Sequence, residues 1–229
     1  MRTKVAIALV LLLFTMVFVS GCSKGSDSYY PLKEGRTWEY QMSTRSRMSG
    51  STGTQKIVVT NLPQRELRDK KVTPQKVDIG GATVFMFIAE DSNGIYVYAE
   101  QSPGTPEPQI KPNPEYSLKN PIKVGTTWEE KTETNLLKEK IPFTLTSTIE
   151  SIDETVTVPA GTFKGCVKVK GSGNAQKKLG ILGDAKVNVE YYDWFAPGIG
   201  MIKSIVKESS NHMMVGSVEV AMELESFKK

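Results

Sequence analysis

Residues 217–227 read SVEVAMELESF, and their alternation decides the fold class. Val218, Val220, Met222 and Leu224 share one parity, while Glu219, Ala221, Glu223 and Glu225 share the other. Successive side chains of a strand point to opposite faces, so the first set is a core-facing row and the second faces water. Short runs rich in Val, Ile, Thr, Tyr and Phe, broken by Gly, Pro, Asn and Asp, recur along the chain, and helical periodicity is nearly absent after residue 21. The pattern predicts strands over 36–45, 55–61, 72–79, 82–90, 94–100, 126–134, 142–151, 154–158, 164–171, 185–194, 200–208 and 215–226. VFMFIA (84–89) is apolar at both parities and predicts a central strand covered on both faces.

Working outward, one decamer occurs twice. Residues 31–40 read PLKEGRTWEY and residues 121–130 read PIKVGTTWEE, an offset of ninety positions (Gly125 minus Gly35). Further landmarks follow each copy in the same order. QKIVVTNL matches FTLTSTIESI, KVTPQKVDI matches TVTVPAGTFKGCVKV, and EDSNGIYVYA matches FAPGIGMIKSI. Common order predicts an internal duplication. The expected organisation is a leader at 1–21, a tether at 22–30, a first β repeat at 31–101, a Pro-rich connection at 102–121 and a second β repeat at 122–229. The two halves form an all-β, mostly antiparallel sheet, as one wrapped barrel or β-roll or as two lobes.

The decamer itself reads as a construction element. Gly35 and Gly125 supply the turn, and a buried Trp38 or Trp128 then anchors the start of a strand, with Trp38 in phase with Tyr40 and Met42. A sugar-stacking role for the two tryptophans would need polar partners that the sequence does not single out. The connection SPGTPEPQIKPNPEYSLKNP (102–121) holds six of the twelve prolines, which predicts an extended surface segment. GSGNAQKKLGILGD (171–184) reads as a second irregular insertion whose Leu179, Ile181 and Leu182 would cover an open sheet end. RELRDKK (65–71) suits an exposed turn.

The first residues predict an address. Arg2 and Lys4 precede an apolar run from Val5 to Val19, shorter than a bilayer-spanning helix requires, and VSGC follows. Small Ser20 and Gly21 before Cys22 resemble the lipobox of bacterial lipoproteins. In that class the cysteine thiol carries a diacylglyceryl group, the leader is cut before it, and the new amine takes a further acyl chain such as palmitate. Two or three chains make a stable anchor at ~0.8 kcal/mol per buried CH₂. The absence of Asp after Cys22 resembles an outer-membrane sorting context. Expected partners are therefore the membrane, through the lipid, and an envelope protein or an apolar ligand.

Charge and composition narrow the function. Removing Arg2 and Lys4 takes the formal charge from +4 to +2, which is not the electrostatic footprint of a nucleic-acid binder. Cys166 would be the sole free thiol, so no internal disulfide is expected, and FKGCVKVKG makes it a small buried residue. His212 is the chain's single histidine and lies in a turn-like SSNHMMV, with no Gly-x-Ser-x-Gly element to accompany it. Zinc sites need more His or Cys than this, EDSNG (90–94) is a hairpin turn rather than a calcium loop, and no cofactor or catalytic set emerges. A paired-carboxylate hydrolase has no acids singled out for it.

YYPLKEGRTWEY, VTVPAGTFKGCVKV and DWFAPGIGMIKS together resemble a family of uncharacterised bacterial lipoproteins called TapB-like, and related domains of unknown function. The more specific parts are Pro159, Gly161 and Phe163 of the second motif and Pro197 and Gly198 of the third. The resemblance implies an antiparallel β architecture and brings no activity, substrate or catalytic residue. A looser, architectural likeness is to the open β-barrel of the Lol-pathway lipoprotein carriers, and fold does not decide function. The expectation is a non-enzymatic binding or scaffold module tethered in the envelope, periplasmic or surface-facing. Its alternatives are a carrier of an apolar ligand inside the sheet and a hydrolase with an acid pair.

Overall fold

The computed structural model describes residues 28–47, 50–134, 141–178, 183–212 and 216–229. The expected leader at 1–21, Cys22 and the apolar Leu179, Ile181 and Leu182 lie outside the described residues. No helix occurs among those described; the chain is carried by thirteen strands in antiparallel pairings. The first half forms β1 (Thr37–Ser46), β2 (Thr52–Asn61), β3 (Arg65–Leu67), β4 (Lys70–Ile79), β5 (Ala82–Asp91), β6 (Gly94–Gln101) and β7 (Gln109–Lys119). The second forms β8 (Thr127–Thr134), β9 (Ile141–Val158), β10 (Gly161–Lys178), β11 (Asp184–Ala196), β12 (Gly200–Ser210) and β13 (Ser217–Lys228).

The strand order is β7-β6-β5-β4-β2-β1-β13-β12-β11-β10-β9-β8, with short β3 paired only to β4. Each half is thus a six-strand meander, and one sheet contains both. The meanders meet where β1 zips to β13, from Thr37 opposite Lys228 to Ser46 opposite Val218. The sheet curls until its other two edges, β7 and β8, lie side by side without a backbone ladder. The Trp128 indole bridges that seam by donating to the Tyr116 carbonyl at 3.2 Å. Side chains fill a barrel of about eight strands. A circuit this much wider leaves space inside.

The duplicated decamer builds the same joint twice. Gly35 (φ 80°) and Gly125 (φ 87°) take a left-handed conformation that residues with a Cβ resist. Gly35 N–H donates to Asn61 O and Asn61 N–H returns to Arg36 O; Gly125 N–H donates to Ile149 O and Ile149 N–H returns to Thr126 O. Thr37 and Thr60 share a hydroxyl contact at 3.4 Å, as Thr127 and Thr148 do at 3.1 Å. The same bonds recur around both glycines, with the partner strand two residues nearer in sequence in the second copy.

Most strand expectations correspond to observed elements, and 142–151 with 154–158 is one long β9. On β5, Phe87 and Ala89 pack with Val72, Tyr96 and Ala99, while Ile88 packs with Ile95 and Val97. Two expectations need correction. The segment 102–121 is not connection throughout, because its second part is the edge strand β7. Its Pro112 and Pro114 fall in a bulge: Val97 pairs with Glu115 and Ala99 with Ile110, leaving 111–114 outside the ladder. Missing N–H groups are tolerated at such a place. Nor is 171–184 irregular from its start, since β10 runs on to Lys178. Its glycines make room for rings. A Cβ on Gly171 would enter the Tyr191 ring, and one on Gly173 would lie 2.8 Å from the Phe143 ring.

Candidate functional site

The curled sheet encloses a cavity of about 520 Å³. Its walls are mainly apolar and aromatic, drawn from both halves: Trp38 and Tyr40 of β1, Val59 of β2, Phe143 and Leu145 of β9, Met222 of β13. Residues 28–33 run across one end. Tyr30 reaches toward Gln75 at 3.3 Å and sets its ring 6.3 Å from that of Phe195, while Ser28 O accepts from Gly198 N–H. On the seam side the walls come from both free edges, Glu115, Tyr116 and Ser117 of β7 and Glu130, Thr132 and Glu133 of β8.

Within this lining sits a set of acids. Residues 187–195 of β11 alternate, and Val187, Val189, Tyr191, Asp193 and Phe195 share the inward parity. The row therefore carries a carboxylate into an otherwise apolar phase. Asp193 lies between Val169 of β10 and Ser204 of β12 by register. Protein surrounds Asp193, although part of its surface faces the cavity, and its Oδ1 has no hydrogen-bond partner. Burial pushes its carboxyl up to about 6, opposed by the Ser204 hydroxyl. Glu130 is carried inward by the Trp128 parity. Burial first, then the neighbouring charges of Glu115 and Asp193, push it up to about 7, with Lys111 opposing.

Two tyrosines complete the polar wall. The Tyr191 ring crosses Gly171 and its hydroxyl meets Ser147 Oγ at 2.7 Å, which ties β11 to β9 over β10. Burial raises the Tyr191 phenol and pushes that of Tyr30 up to about 12, so both remain protonated donors near neutral pH. Around the rim, Lys111 pairs with Glu100 at 2.9 Å and with Glu115 at 3.0 Å.

The residues singled out in the sequence are mostly walls and joints. Trp38 is buried and donates to Ile199 O at 2.7 Å; Trp128 is buried beside the seam. Pro197 and Gly198 form the turn between β11 and β12, which also receives Arg36 Nη1 at Gly198 O, 2.7 Å. Pro159 and Gly161 flank the turn between β9 and β10, where Ala160 N–H donates to Leu224 O. Phe163 packs on Phe227 with ring centroids 6.2 Å apart. Cys166 is buried, its thiol raised by burial, and its Sγ contacts Phe163 O. His212 lies in the connection between β12 and β13. Asp91 Oδ1 accepts from Asn93 and Gly94 N–H, making EDSNG the β5–β6 hairpin turn. No cluster of His, Cys, Asp or Glu suited to a metal occurs among the described residues.

Sequence reasoning missed Asp193 and Glu130. The available signal was an acid at a core-phase position of an alternating strand, visible in VNVEYYDWFA and TWEE.

The family model for DUF3108-like proteins matches residues 130–218, which lie in the second half and contain both Val-Pro-Ala-Gly-Thr-Phe and Ala-Pro-Gly-Ile-Gly. The match is to that family rather than to the TapB-like one the motifs suggested. No curated protein matches the chain. A Bacteroides fragilis protein described as exported and YmcC-like in fold has a TM-score of 0.49 at 19% identity, over 89% of this chain and 100% of its own. A Parabacteroides distasonis protein described as a lipoprotein has a TM-score of 0.45 at 13% identity, over 89% of this chain and 99% of its own.

Proposed function

We propose that the protein is a lipid-tethered module of the bacterial envelope that takes an apolar ligand into its curled sheet. The carrying observation is the cavity. Its volume of about 520 Å³ falls in the range of roughly 300–1,000 Å³ typical of small-molecule sites, and its lining is largely apolar. A pure scaffold has no need of an unfilled interior, since empty space costs packing. The tether reading rests on the lipobox-like VSGC. Only residues 23–27 separate Cys22 from Ser28, and an extended chain of that length reaches about 20 Å. The end of the sheet crossed by residues 28–33 would then lie close to the bilayer.

The test is native mass spectrometry of the mature sequence with Cys22→Ala, purified without detergent and followed by solvent extraction. Copurified amphiphile at near-stoichiometric amounts is expected. A ligand-free protein that also fails to take up N-phenyl-1-naphthylamine would end the carrier reading. The tether is tested separately: Cys22→Ala should move the protein out of the membrane fraction and abolish acyl labelling.

A second reading draws on Glu130 and Asp193. Buried acids with raised proton affinity, close enough to influence each other, also suit general acid–base chemistry. Incubating the protein with its extracted ligand separates the two readings. A carrier returns the ligand unchanged in mass, and an enzyme does not.

A further inference from the structure

The charge of the cavity has one sign. Glu115, Glu130, Glu133, Asp193 and Glu208 line it, and no lysine, arginine or histidine is among its described lining residues. Thr134 donates to Glu208 at 2.8 Å, and Lys111 pairs with Glu115 from the rim. Asp193 differs from these, because it lines the cavity and also carries a buried carboxylate oxygen, Oδ1, with no hydrogen-bond partner. A buried acceptor left unmade is costly, and a bound donor would remove that cost.

We propose that the cavity selects a cationic amphiphile, an apolar body bearing a protonated amine, whose N–H groups bind Asp193 and Glu130. This rests on the ligand-binding reading above and specifies its chemistry. An ammonium supplies both what Oδ1 lacks and the countercharge for the acids, and charge-assisted bonds of this kind are stronger than neutral ones. A fatty-acid carboxylate would instead meet like charge in a site of low dielectric. A neutral alcohol could donate one hydrogen bond but leaves the acids uncompensated.

The groups facing the two acids are few. Asp193 meets Ser204 across β12, with Tyr30 from the N-terminal segment and Tyr191 on its own strand within electrostatic reach. Glu130 faces Glu115 and Lys111 from β7, and Asp193 from β11. With carboxyls that protonate near pH 6 to 7, binding of an alkylammonium, which stays protonated throughout, weakens as pH falls from 8 to 5.

Displacement of N-phenyl-1-naphthylamine by three ligands of equal chain length provides the test: dodecylammonium, dodecanol and dodecanoate. At pH 8 dodecylammonium should compete at least tenfold better than either of the others, and the advantage should shrink severalfold at pH 5. Asp193→Asn and Glu130→Gln should each remove most of the advantage while leaving dodecanol within about twofold, which also shows that the variants fold. Equal or tighter binding of dodecanoate, or an advantage that survives in both variants, would overturn the proposal. Failure of all three ligands to displace the probe would instead sink the ligand-binding reading on which it rests.

Discussion

The sheet has two junctions between its halves, and the strand order makes them counterparts. At one, the first strand of the first half (β1) meets the last strand of the second (β13). At the other, the first strand of the second half (β8) meets the last strand of the first (β7). The β1–β13 junction is a ladder along the whole of β1, with one bulge between Glu39 and Tyr40; the β7–β8 junction is a seam held by the Trp128 indole. The final residue of the decamer shows how the two junctions differ. Tyr40 packs in the core at the zipped junction, opposite Leu224, and donates to Met201 O at 2.9 Å. Its counterpart ninety positions on is Glu130, a half-buried acid at the open seam. Both copies line the cavity, the first with aromatic rings at a paired junction and the second with a carboxylate at an unpaired one.

If both tryptophans are anchors, removing either should cost a similar and large amount. Trp38→Ala and Trp128→Ala are each expected to lose roughly 3–5 kcal/mol in denaturant titration. The bonds they lose differ in place: Trp38 holds the β11–β12 turn, whereas Trp128 holds the seam. Hydrogen exchange should therefore accelerate around 196–200 in the first variant and along β7 and β8 in the second. A Trp128→Ala protein as stable as wild type would break the equivalence of the two joints.

The acids give the next effect. Glu130 and Asp193 protonate more readily folded than unfolded, so the native state binds more protons between about pH 4 and 7. Their stabilisation is complete below the unfolded values and is lost as pH rises through the folded ones. Stability should be greater at pH 5 than at pH 8, by roughly 2–4 kcal/mol for the two together, since each tenfold gain in proton affinity on folding is worth about 1.4 kcal/mol. Asp193→Asn and Glu130→Gln should each flatten that slope. A wild-type protein whose stability rises steadily from pH 5 to 8 would contradict the burial assigned to these groups.

The architecture was legible in the sequence where one parity had one chemistry. SVEVAMELESF and the decamer predict strand, turn and anchor because alternation and glycine act locally. The site was harder to see for the same reason. Asp193 and Glu130 look like ordinary surface acids until register fixes which parity faces inward, and register is a property of neighbouring strands. Proline and glycine misled where an edge or an overlying ring excused them. Pro112 and Pro114 sit in a bulge on an edge strand, and Gly171 lies under Tyr191.

Gly171 tests that last point. In an ordinary strand Gly→Ala is neutral or stabilising, since glycine has more freedom to lose on folding. Here the new Cβ would enter a ring that is fixed at its far end by Ser147. Gly171→Ala should destabilise by about 1–3 kcal/mol, as overpacking does. Gly171→Ala combined with Tyr191→Leu should recover part of that loss. A single variant with an unchanged midpoint would show that the ring crossing β10 is not a fixed part of the wall.

The smallest expected effect bears directly on why one junction is zipped and the other is not. Pro114 is exposed, lies in the β7 bulge and has no N–H to offer β8. Pro114→Thr restores a donor and permits a straighter edge, while the freer unfolded chain costs about 0.4–1 kcal/mol. If ligand enters between β7 and β8, a straighter β7 should narrow the way in. Stopped-flow uptake of N-phenyl-1-naphthylamine should then slow severalfold, with equilibrium affinity kept within about twofold because the cavity wall itself is unchanged. Uptake at the wild-type rate would move the entrance away from the seam. The bulge would then be a guard against edge-to-edge pairing of the free strand, a common use of such irregularities.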